Sequence, residues 1–291
     1  MSSPDHSGEE RATLEEVRQW ARRLSYDRYL ASLLAPKAAR PLLWALHGFA
    51  GEIAHIPERM SEPMLGEIRF QWWRDALDGV VRGERSGNPL ADALAPVIAD
   101  DGARLAKLKG MVDARAFDLG GAEMADVRAL TTYLAKTEGQ EFALAVQLLS
   151  GETSPEVESA CVQAGIAYGL ARLLCTLPLC LARGAMPIPS ELLRLNQAGE
   201  PAALNDIEPV QLNNALSDVA KLAADAGATA RRHVGMLSRT VRPAFLPLAL
   251  VPSYLAAARR PGRDPLSEIA LISPVMRVWS LYRAHLLGFG D

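Results

Sequence analysis

The chain has few of the residues that identify a metal site, a disulfide scaffold or a secreted protein. It has only three cysteines, Cys161, Cys175 and Cys180, and all three lie in one apolar region. None of them is spaced as a Cys-x-x-Cys or Cys/His ligand pair. Reduced thiols that pack as small apolar groups are the simplest interpretation, and they fit a reducing cytoplasm. We therefore predict a cytoplasmic protein in which Cys175 and Cys180 are buried and unbridged.

Long apolar runs and charge of one sign are also missing. The uncharged apolar run over residues 173–182 is too short to span a bilayer, so we predict no transmembrane segment and at most peripheral membrane association. The polar N-terminus contains Asp5, Glu9 and Glu10, which argue against a signal or transit peptide. A formal net charge of −3, with acids and bases interspersed, offers no basic face to a nucleic acid.

Strand signals are absent, whereas helix signals recur along the chain. No stretch shows sustained alternation of apolar and polar residues, and there is no Asn-Gly hairpin turn. Helix starts are predicted at the capping box of residues 13–16, at Asp27 and at residues 154–156. We expect a periodic apolar stretch over residues 89–108, one long helix over residues 125–149, a loop over residues 194–207 and a final helix over residues 264–288. Residues 1–12 are polar and are predicted to form a disordered tail. Because the connections between the helices that follow are short, we predict a single all-α domain over residues 13–291.

Residues 165–193 form the stretch around which the rest of the chain is organised. They read GIAYGLARLLCTLPLCLARGAMPIPSELL, and the first half is apolar on every side. A helix without a polar face is expected at the centre of a bundle. Gly165 and Gly169 would let neighbouring helices approach closely, and Pro178 should kink or end the helix.

This stretch resembles the squalene/phytoene synthase family, which reads approximately G-x-A-x-Q-L-T-N-I-L-R-D-V-x-x-D-x-x-R-G-R-x-Y-L-P-x-x-x-L at the same place. The shared frame consists of Gly165, Ala167, Leu170, Leu173, Leu174, Arg183, Gly184, Pro189 and Leu193. The two aspartates that hold Mg²⁺ in the family, and through it the substrate diphosphate, fall on Thr176 and Cys180. A hydroxyl and a thiol cannot replace the hard anionic oxygens that Mg²⁺ prefers.

The family's other aspartate-rich motif is degraded as well. The matching segment reads WALHGFAGEIAHIPERM, and its expected aspartates fall on Ala54, His55 and Glu58, with Glu52 one turn early. Metal ions between the two clusters neutralise the leaving diphosphate in such synthases. The resemblance therefore implies the family's fold without its metal site.

A third segment points to one subgroup of the family. Residues 61–78 read SEPMLGEIRFQWWRDALD, and this pattern resembles bacterial squalene/phytoene-synthase-like proteins and the mitochondrial complex I assembly factor that carries such a domain. We expect Trp73 to lie in the core.

The resemblance implies an isoprenoid-synthase-like helical bundle around a central cavity, and it leaves three functions open. The first is a non-catalytic protein that binds an isoprenoid or a protein partner, such as a respiratory complex I assembly factor that binds a subunit of the complex. The second is an active head-to-head prenyltransferase that makes squalene or phytoene, which alone would require Mg²⁺ as a cofactor. The third is a helical interaction protein without a ligand. Four or more carboxylates around one cavity would favour the enzyme, and a large apolar cavity would favour lipid binding over the third function.

No catalytic residue and no metal ligand is assigned from the sequence. The candidate cavity-lining residues are Glu52, His55, Gly139, Gly169, Arg172, Thr176 and Cys180. A tunnel for a prenyl chain is expected along Gly139, Ala143, Gly165 and Gly169.

Two of these candidates have a further interpretation. Arg172 stands where the family has an asparagine, and a buried arginine needs an anion. We expect an internal ion pair with Glu52, Glu138 or Glu141 in preference to a ligand phosphate or carboxylate. The Glu52-x-x-His55 spacing is half of a di-iron motif, but it occurs once where two copies are needed, so no di-iron site is predicted.

Overall fold

The computed structural model describes residues 6–60, 62–99, 101–120, 124–193 and 208–289, and within these ranges the chain contains helices and no strand. The all-α prediction is confirmed. The helices are α1 His6–Leu24, α2 Tyr26–Ser32, α3 Arg40–Arg59, α4 Pro63–Val81, α5 Pro89–Asp92, α6 Ala95–Ile98, α7 Gly102–Ala116, α8 Val127–Leu134, α9 Gln140–Ser150, α10 Pro155–Leu181, α11 Ser190–Leu193, α12 Pro209–Met236, α13 Arg242–Phe245, α14 Val251–Ala258 and α15 Pro274–Leu287.

Helix α10 lies at the centre of the bundle, as its uniformly apolar sequence predicts. It packs against α8, α9, α12 and α14. Ser154 caps its start by accepting a hydrogen bond from the amide of Val157 at 3.3 Å. Pro178 does not end the helix, because it lies in the last turn and α10 continues to Leu181. Most of the buried apolar side chains from α1 to α15 belong to one hydrophobic cluster, which includes Trp73 as expected.

The segment Ala135–Gly139 joins α8 to α9 as a single π-helical turn, where the sequence predicts an uninterrupted helix. A π turn places an extra residue in the helix and displaces the side chains next to it. Here the turn carries Glu138 toward the centre of the bundle and brings the backbone of Gly139 against Gly165. A Cβ atom on Gly165 would lie 2.3 Å from the amide nitrogen of Gly139. The predicted close approach of these helices is therefore confirmed.

Three predicted boundaries differ from the structure. Helix α1 begins at His6, so residues 6–12 of the expected tail are helical, while residues 1–5 lie outside the described residues. The last helix begins at Pro274 and not near residue 264, since Ser273 caps it by accepting a hydrogen bond from the amide of Met276. The predicted periodic stretch after residue 89 is divided by Ala99, which has a left-handed φ of 45°. The expected loop at residues 194–207 lies outside the described residues.

Two helical stretches, Pro155–Leu181 and Arg239–Ala258, are long and apolar enough to cross a membrane by length and composition alone. In each of them, 61% of the most apolar window is buried inside the bundle. Burial of this extent is what the core helices of a bundle require, and length alone does not make either stretch a membrane span.

Candidate functional site

A cavity of about 260 Å³ opens beside the central helix α10, between α2 and α3 on one side and α8 with its π turn on the other. Five of the seven candidate residues line it, namely His55, Gly169, Arg172, Thr176 and Cys180. The wall also includes Ala54 and Glu58, which stand at the family's other aspartate positions. The two degraded motifs therefore face the same space, as the resemblance implies.

Glu52 does not reach this cavity, and its inclusion among the cavity-lining residues was wrong. Its carboxylate is nearly buried and accepts a hydrogen bond from Arg59 Nη1 at 2.9 Å. Arg69 lies 3.6 Å from the other carboxylate oxygen. Both cations belong to α3 and α4, so Glu52 ties these two helices together.

Gly139 also lies outside this cavity, and the predicted tunnel is not continuous. The backbones of Gly139 and Gly165 are in contact, which leaves no room for a ligand between them. Gly139 and Ala143 instead line a second space of about 240 Å³, together with Lys107 and Glu158. Of the four residues expected to form the tunnel, only Gly169 lines the main cavity, where an added Cβ atom would lie 2.5 Å from the side chain of Leu134.

Glu138 and Glu141 carry the negative charge at the inner wall of the cavity. Glu138 accepts hydrogen bonds from Arg28 Nη2 at 2.8 Å and from Arg115 Nη2 at 3.0 Å. Glu141 lies 3.1 Å from Arg28 Nε and 2.7 Å from His47 Nδ1. Burial alone would raise the pKa of Glu138, yet the two guanidinium groups outweigh it and lower the pKa to about 2. Glu138 is therefore ionised at neutral pH.

The other two cavity carboxylates, Asp118 and Glu58, are more exposed than Glu138 and Glu141. Asp118 accepts a hydrogen bond from the Tyr133 hydroxyl at 2.7 Å and lies 3.6 Å from Arg115, while burial raises the pKa of its carboxyl group. Glu58 lies 3.3 Å from Arg183 and 3.7 Å from His55. Each of these carboxylates already has a cation of the protein beside it.

Four carboxylates around one cavity reach the number that we expected of an enzyme, but their arrangement does not suit a metal. Each of the four lies beside an arginine of the protein, which neutralises negative charge that would otherwise attract Mg²⁺. The four are Glu58, Asp118, Glu138 and Glu141. In the described parts of the chain, no three His, Cys, Asp or Glu side chains are placed to hold a metal ion. The residues present therefore do not fit the Mg²⁺ cluster of a synthase.

Arg172 differs from the other cavity arginines in having no ion pair with any described residue. Of the acids proposed as its partners, Glu138 attracts it electrostatically, but the oxygens of Glu138 accept hydrogen bonds from Arg28 and Arg115 instead. The Arg172 guanidinium lies 5.7 Å from the centre of the Tyr168 ring. The prediction of an ion pair between Arg172 and an internal acid is therefore wrong, since no described acid lies within contact distance of its guanidinium group. Arg172 lines the cavity instead.

Thr176 and Cys180 line the cavity one helical turn apart. The Thr176 hydroxyl donates to the carbonyl oxygen of Arg172 at 3.0 Å, within its own helix. All three cysteines are free, and Cys161 and Cys175 are buried. Cys180 is only partly buried, which corrects the expectation for this residue, because its side chain reaches the cavity wall.

Sequence reasoning missed Arg28 and Arg115, the two cations that hold Glu138. Arg28 follows Asp27, which the sequence presents as a helix cap. In the structure Asp27 is buried, accepts a hydrogen bond from Tyr168 at 2.8 Å and lies 2.7 Å from Arg277. A charged pair at the start of a short, mostly apolar helix was the available signal that α2 buries both side chains.

Comparisons with known proteins agree with this geometry. A sequence model described as squalene/phytoene synthase matches residues 21–283. The chain is similar to assembly factor 6 of NADH dehydrogenase (ubiquinone) complex I from Bos taurus, with 25% identity over 86% of this chain and 73% of that protein. The corresponding protein from Homo sapiens is 23% identical over 84% of this chain and 73% of its own length.

Solved structures show the same fold. A dehydrosqualene synthase in complex with a ligand superposes with a TM-score of 0.76 at 16% identity, covering 96% of this chain and 97% of that chain. A squalene synthase from Alicyclobacillus acidocaldarius gives a TM-score of 0.69 at 18% identity, covering 88% of this chain and 96% of that chain. The likeness is one of fold, since the metal-binding positions of the family are replaced here.

Proposed function

The chain belongs to the squalene/phytoene synthase family, and from this premise we propose that it is a non-catalytic member that binds an isoprenoid and acts in the assembly of respiratory complex I. The relatives named complex I assembly factor 6 support the second part. We also propose that it works in the cytoplasm, which the three free thiols support.

The observation that carries this proposal is the pairing of every cavity carboxylate with a cation of the protein. Ionising an allylic diphosphate requires metal ions to neutralise the leaving group. Four of the family's aspartate positions hold other residues here, namely Ala54, His55, Thr176 and Cys180. At a fifth position the carboxylate of Glu58 lies beside Arg183. The chain thus keeps the family's fold, while the chemistry of its cavity supports binding without turnover.

The walls of the cavity suit a ligand with an apolar chain and an oxygen-bearing head. Leu134, Leu173 and Leu179 contribute apolar surface, and each buried methylene of a ligand contributes about 0.8 kcal/mol. Arg172 offers donors that no described residue takes, and these suit a carbonyl or alcohol oxygen of the head group. A quinone or a prenyl alcohol has both parts.

The first test is turnover. We expect the purified protein to form no squalene, phytoene or presqualene diphosphate from farnesyl or geranylgeranyl diphosphate with Mg²⁺. Product above the level of a sample without enzyme would refute the non-catalytic assignment and would restore the prenyltransferase alternative.

The second test is ligand binding, measured as a shift in melting temperature. We expect farnesol or a short-chain quinone to raise the melting temperature, and Mg²⁺ with inorganic diphosphate to leave it unchanged. Thr176→Phe should abolish the shift, because the larger ring fills the cavity. Thr176 is preferable to Gly169, where even a Cβ atom would displace Leu134. The matched control is Thr132→Phe, the same change at an exposed helical position.

If the control Thr132→Phe also lost the shift in melting temperature, binding in this cavity would be contradicted.

The assembly role is tested separately in the host that encodes the protein. Deletion of its gene should lower the amount of assembled complex I, and the wild-type chain should restore it. If Thr132→Phe restores assembly and Thr176→Phe does not, the cavity is required for the role. Normal complex I levels after deletion would refute the assembly function.

A further inference from the structure

The outward face of α15 is apolar along its whole length. Four of its side chains, Val275, Trp279, Tyr282 and Leu286, are spaced three or four residues apart and therefore project from one side of the helix. Val275 is 79% exposed, Trp279 61% and Leu286 58%. We call these four residues the α15 face. From Val275 to Leu286 the face extends over about 16 Å of helix.

The opposite side of α15 anchors the helix to the bundle. Leu281 and Ala284 are buried there. Arg277 reaches the buried carboxylate of Asp27, with an N–O distance of 2.7 Å. The contacts of the inner side thus fix the orientation of α15 and hold its apolar face toward the outside of the bundle.

Charge distinguishes the last fifty residues of the sequence from the rest of the chain. Residues 242–291 contain six arginines and three acidic residues, whereas the chain as a whole has a formal net charge of −3. The last fifty residues therefore carry +3 and the preceding part −6. Helix α15 contains no Asp or Glu, and its exposed Arg283 lies at the edge of the face.

We propose that the α15 face docks the protein onto the surface of an anionic lipid bilayer. A helix that lies in a membrane interface combines a broad apolar side with cations at its edge, and binds through buried apolar area and attraction to anionic headgroups. Tryptophan and tyrosine are favoured at the headgroup level because their rings are apolar and their N–H or O–H groups remain hydrated. Trp279 and Tyr282 stand beside Arg283 in this arrangement.

The charge and the shape favour a bilayer over a protein partner. The face is the convex side of a single helix, and it presents donors from tryptophan, tyrosine and arginine without any carboxylate to pair with a partner's cations. An anionic surface complements a net positive region in an otherwise acidic chain. The aliphatic residues at both ends, Val275 and Leu286, would enter the acyl boundary together.

The test is flotation of the full-length protein with lipid vesicles. We expect binding to vesicles of phosphatidylcholine mixed with phosphatidylglycerol, and weaker binding to phosphatidylcholine alone or at high salt. The double variant Trp279→Glu/Leu286→Glu should lower the partition coefficient at least about tenfold, because two large apolar groups are replaced by charges. The matched control is Met64→Glu/Ile68→Glu, which introduces the same charges at exposed apolar positions of α4.

A second measurement of membrane binding is the quenching of tryptophan fluorescence. Trp279 is the exposed one among the five tryptophans of the chain, so brominated lipids should quench its emission selectively. Trp279→Phe should retain flotation and lose most of the quenching. The proposal is overturned if anionic vesicles do not bind the wild-type protein, or if both double variants bind equally. It is also overturned if sedimentation shows a dimer that Trp279→Glu/Leu286→Glu dissociates, since the face would then join two copies of the chain.

Discussion

Replacing Glu138 by glutamine removes one negative charge from the buried network beneath the cavity. The change leaves Arg28 and Arg115 in place, each of which donates a hydrogen bond to this carboxylate at 2.8 and 3.0 Å. Glutamine has a similar shape but cannot balance either cation. The side chain of Glu138 is 12% exposed and that of Arg28 is 3% exposed, so water cannot compensate for the lost charge.

Two arguments give the size of the effect. Lowering the pKa of Glu138 from 4.5 to about 2 corresponds to about 3 kcal/mol of stability at neutral pH. Removing one partner of a buried ion pair costs about 3–5 kcal/mol when the remaining charge is left uncompensated. The lower end of this range applies here, because Arg28 still lies 3.1 Å from Glu141 and Arg115 still lies 3.6 Å from Asp118. We therefore expect Glu138→Gln to lower the free energy of unfolding by about 3 kcal/mol at pH 7.

The assay is denaturant unfolding followed by circular dichroism, and its control is Glu84→Gln. Glu84 also pairs with an arginine, at 2.6 Å, but both side chains are more than half exposed, so the control should change stability little. The folded-state pKa of Glu138 is depressed, so its contribution is complete above pH 4.5 and declines as the pH falls toward 2. Equal destabilisation by the two variants would refute the reasoning. So would a difference between wild type and Glu138→Gln that stays constant from pH 6 to about pH 3.

Two further predictions follow from the same packing. Gly165→Ala should destabilise the protein by about 2 kcal/mol, because the new Cβ atom would lie 2.3 Å from the backbone of the adjoining helix. Gly110→Ala, in a helix with nothing within 4 Å of the new atom, should be neutral or stabilise by up to about 1 kcal/mol; equal effects in thermal unfolding would contradict this. A maleimide should modify Cys180 before Cys161, because burial raises the pKa of the Cys161 thiol to about 12 and Cys180 reaches the cavity wall. Peptide mass mapping that finds Cys161 modified first would exclude this order.

The sequence predicts most of the fold because the relevant signals are local. A helix that is apolar on all sides must be central, and α10 is. The family frame places Thr176 and Cys180 one turn apart, and it aligns Ala54, His55 and Glu58 opposite them; all five line one cavity. The pairing of Glu52 with Arg59 could also have been found, since the two residues are seven positions apart on one helix.

The charge network was not predictable in the same way, because its partners are distant in the chain. Arg28 and Glu138 are 110 residues apart, and Asp27 and Tyr168 are 141 apart. Their pairing depends on where the fold places α2 relative to the π turn and to α10, and no local pattern encodes that placement. A sequence pattern shows that an arginine in an apolar helix needs an anion, but it does not show which one.

The two arginines around Glu138 have a consequence for how the cavity responds to its surroundings. A carboxylate cluster bridged by Mg²⁺ has its working charge only while the free ion is supplied, and a chelator removes it. Arg28 and Arg115 are covalently part of the chain, and their guanidinium groups stay protonated throughout the physiological range. The cavity therefore keeps one electrostatic state in magnesium-poor and magnesium-rich cells alike. Occupancy of the cavity by the proposed isoprenoid would then follow the abundance of that lipid and not that of the metal.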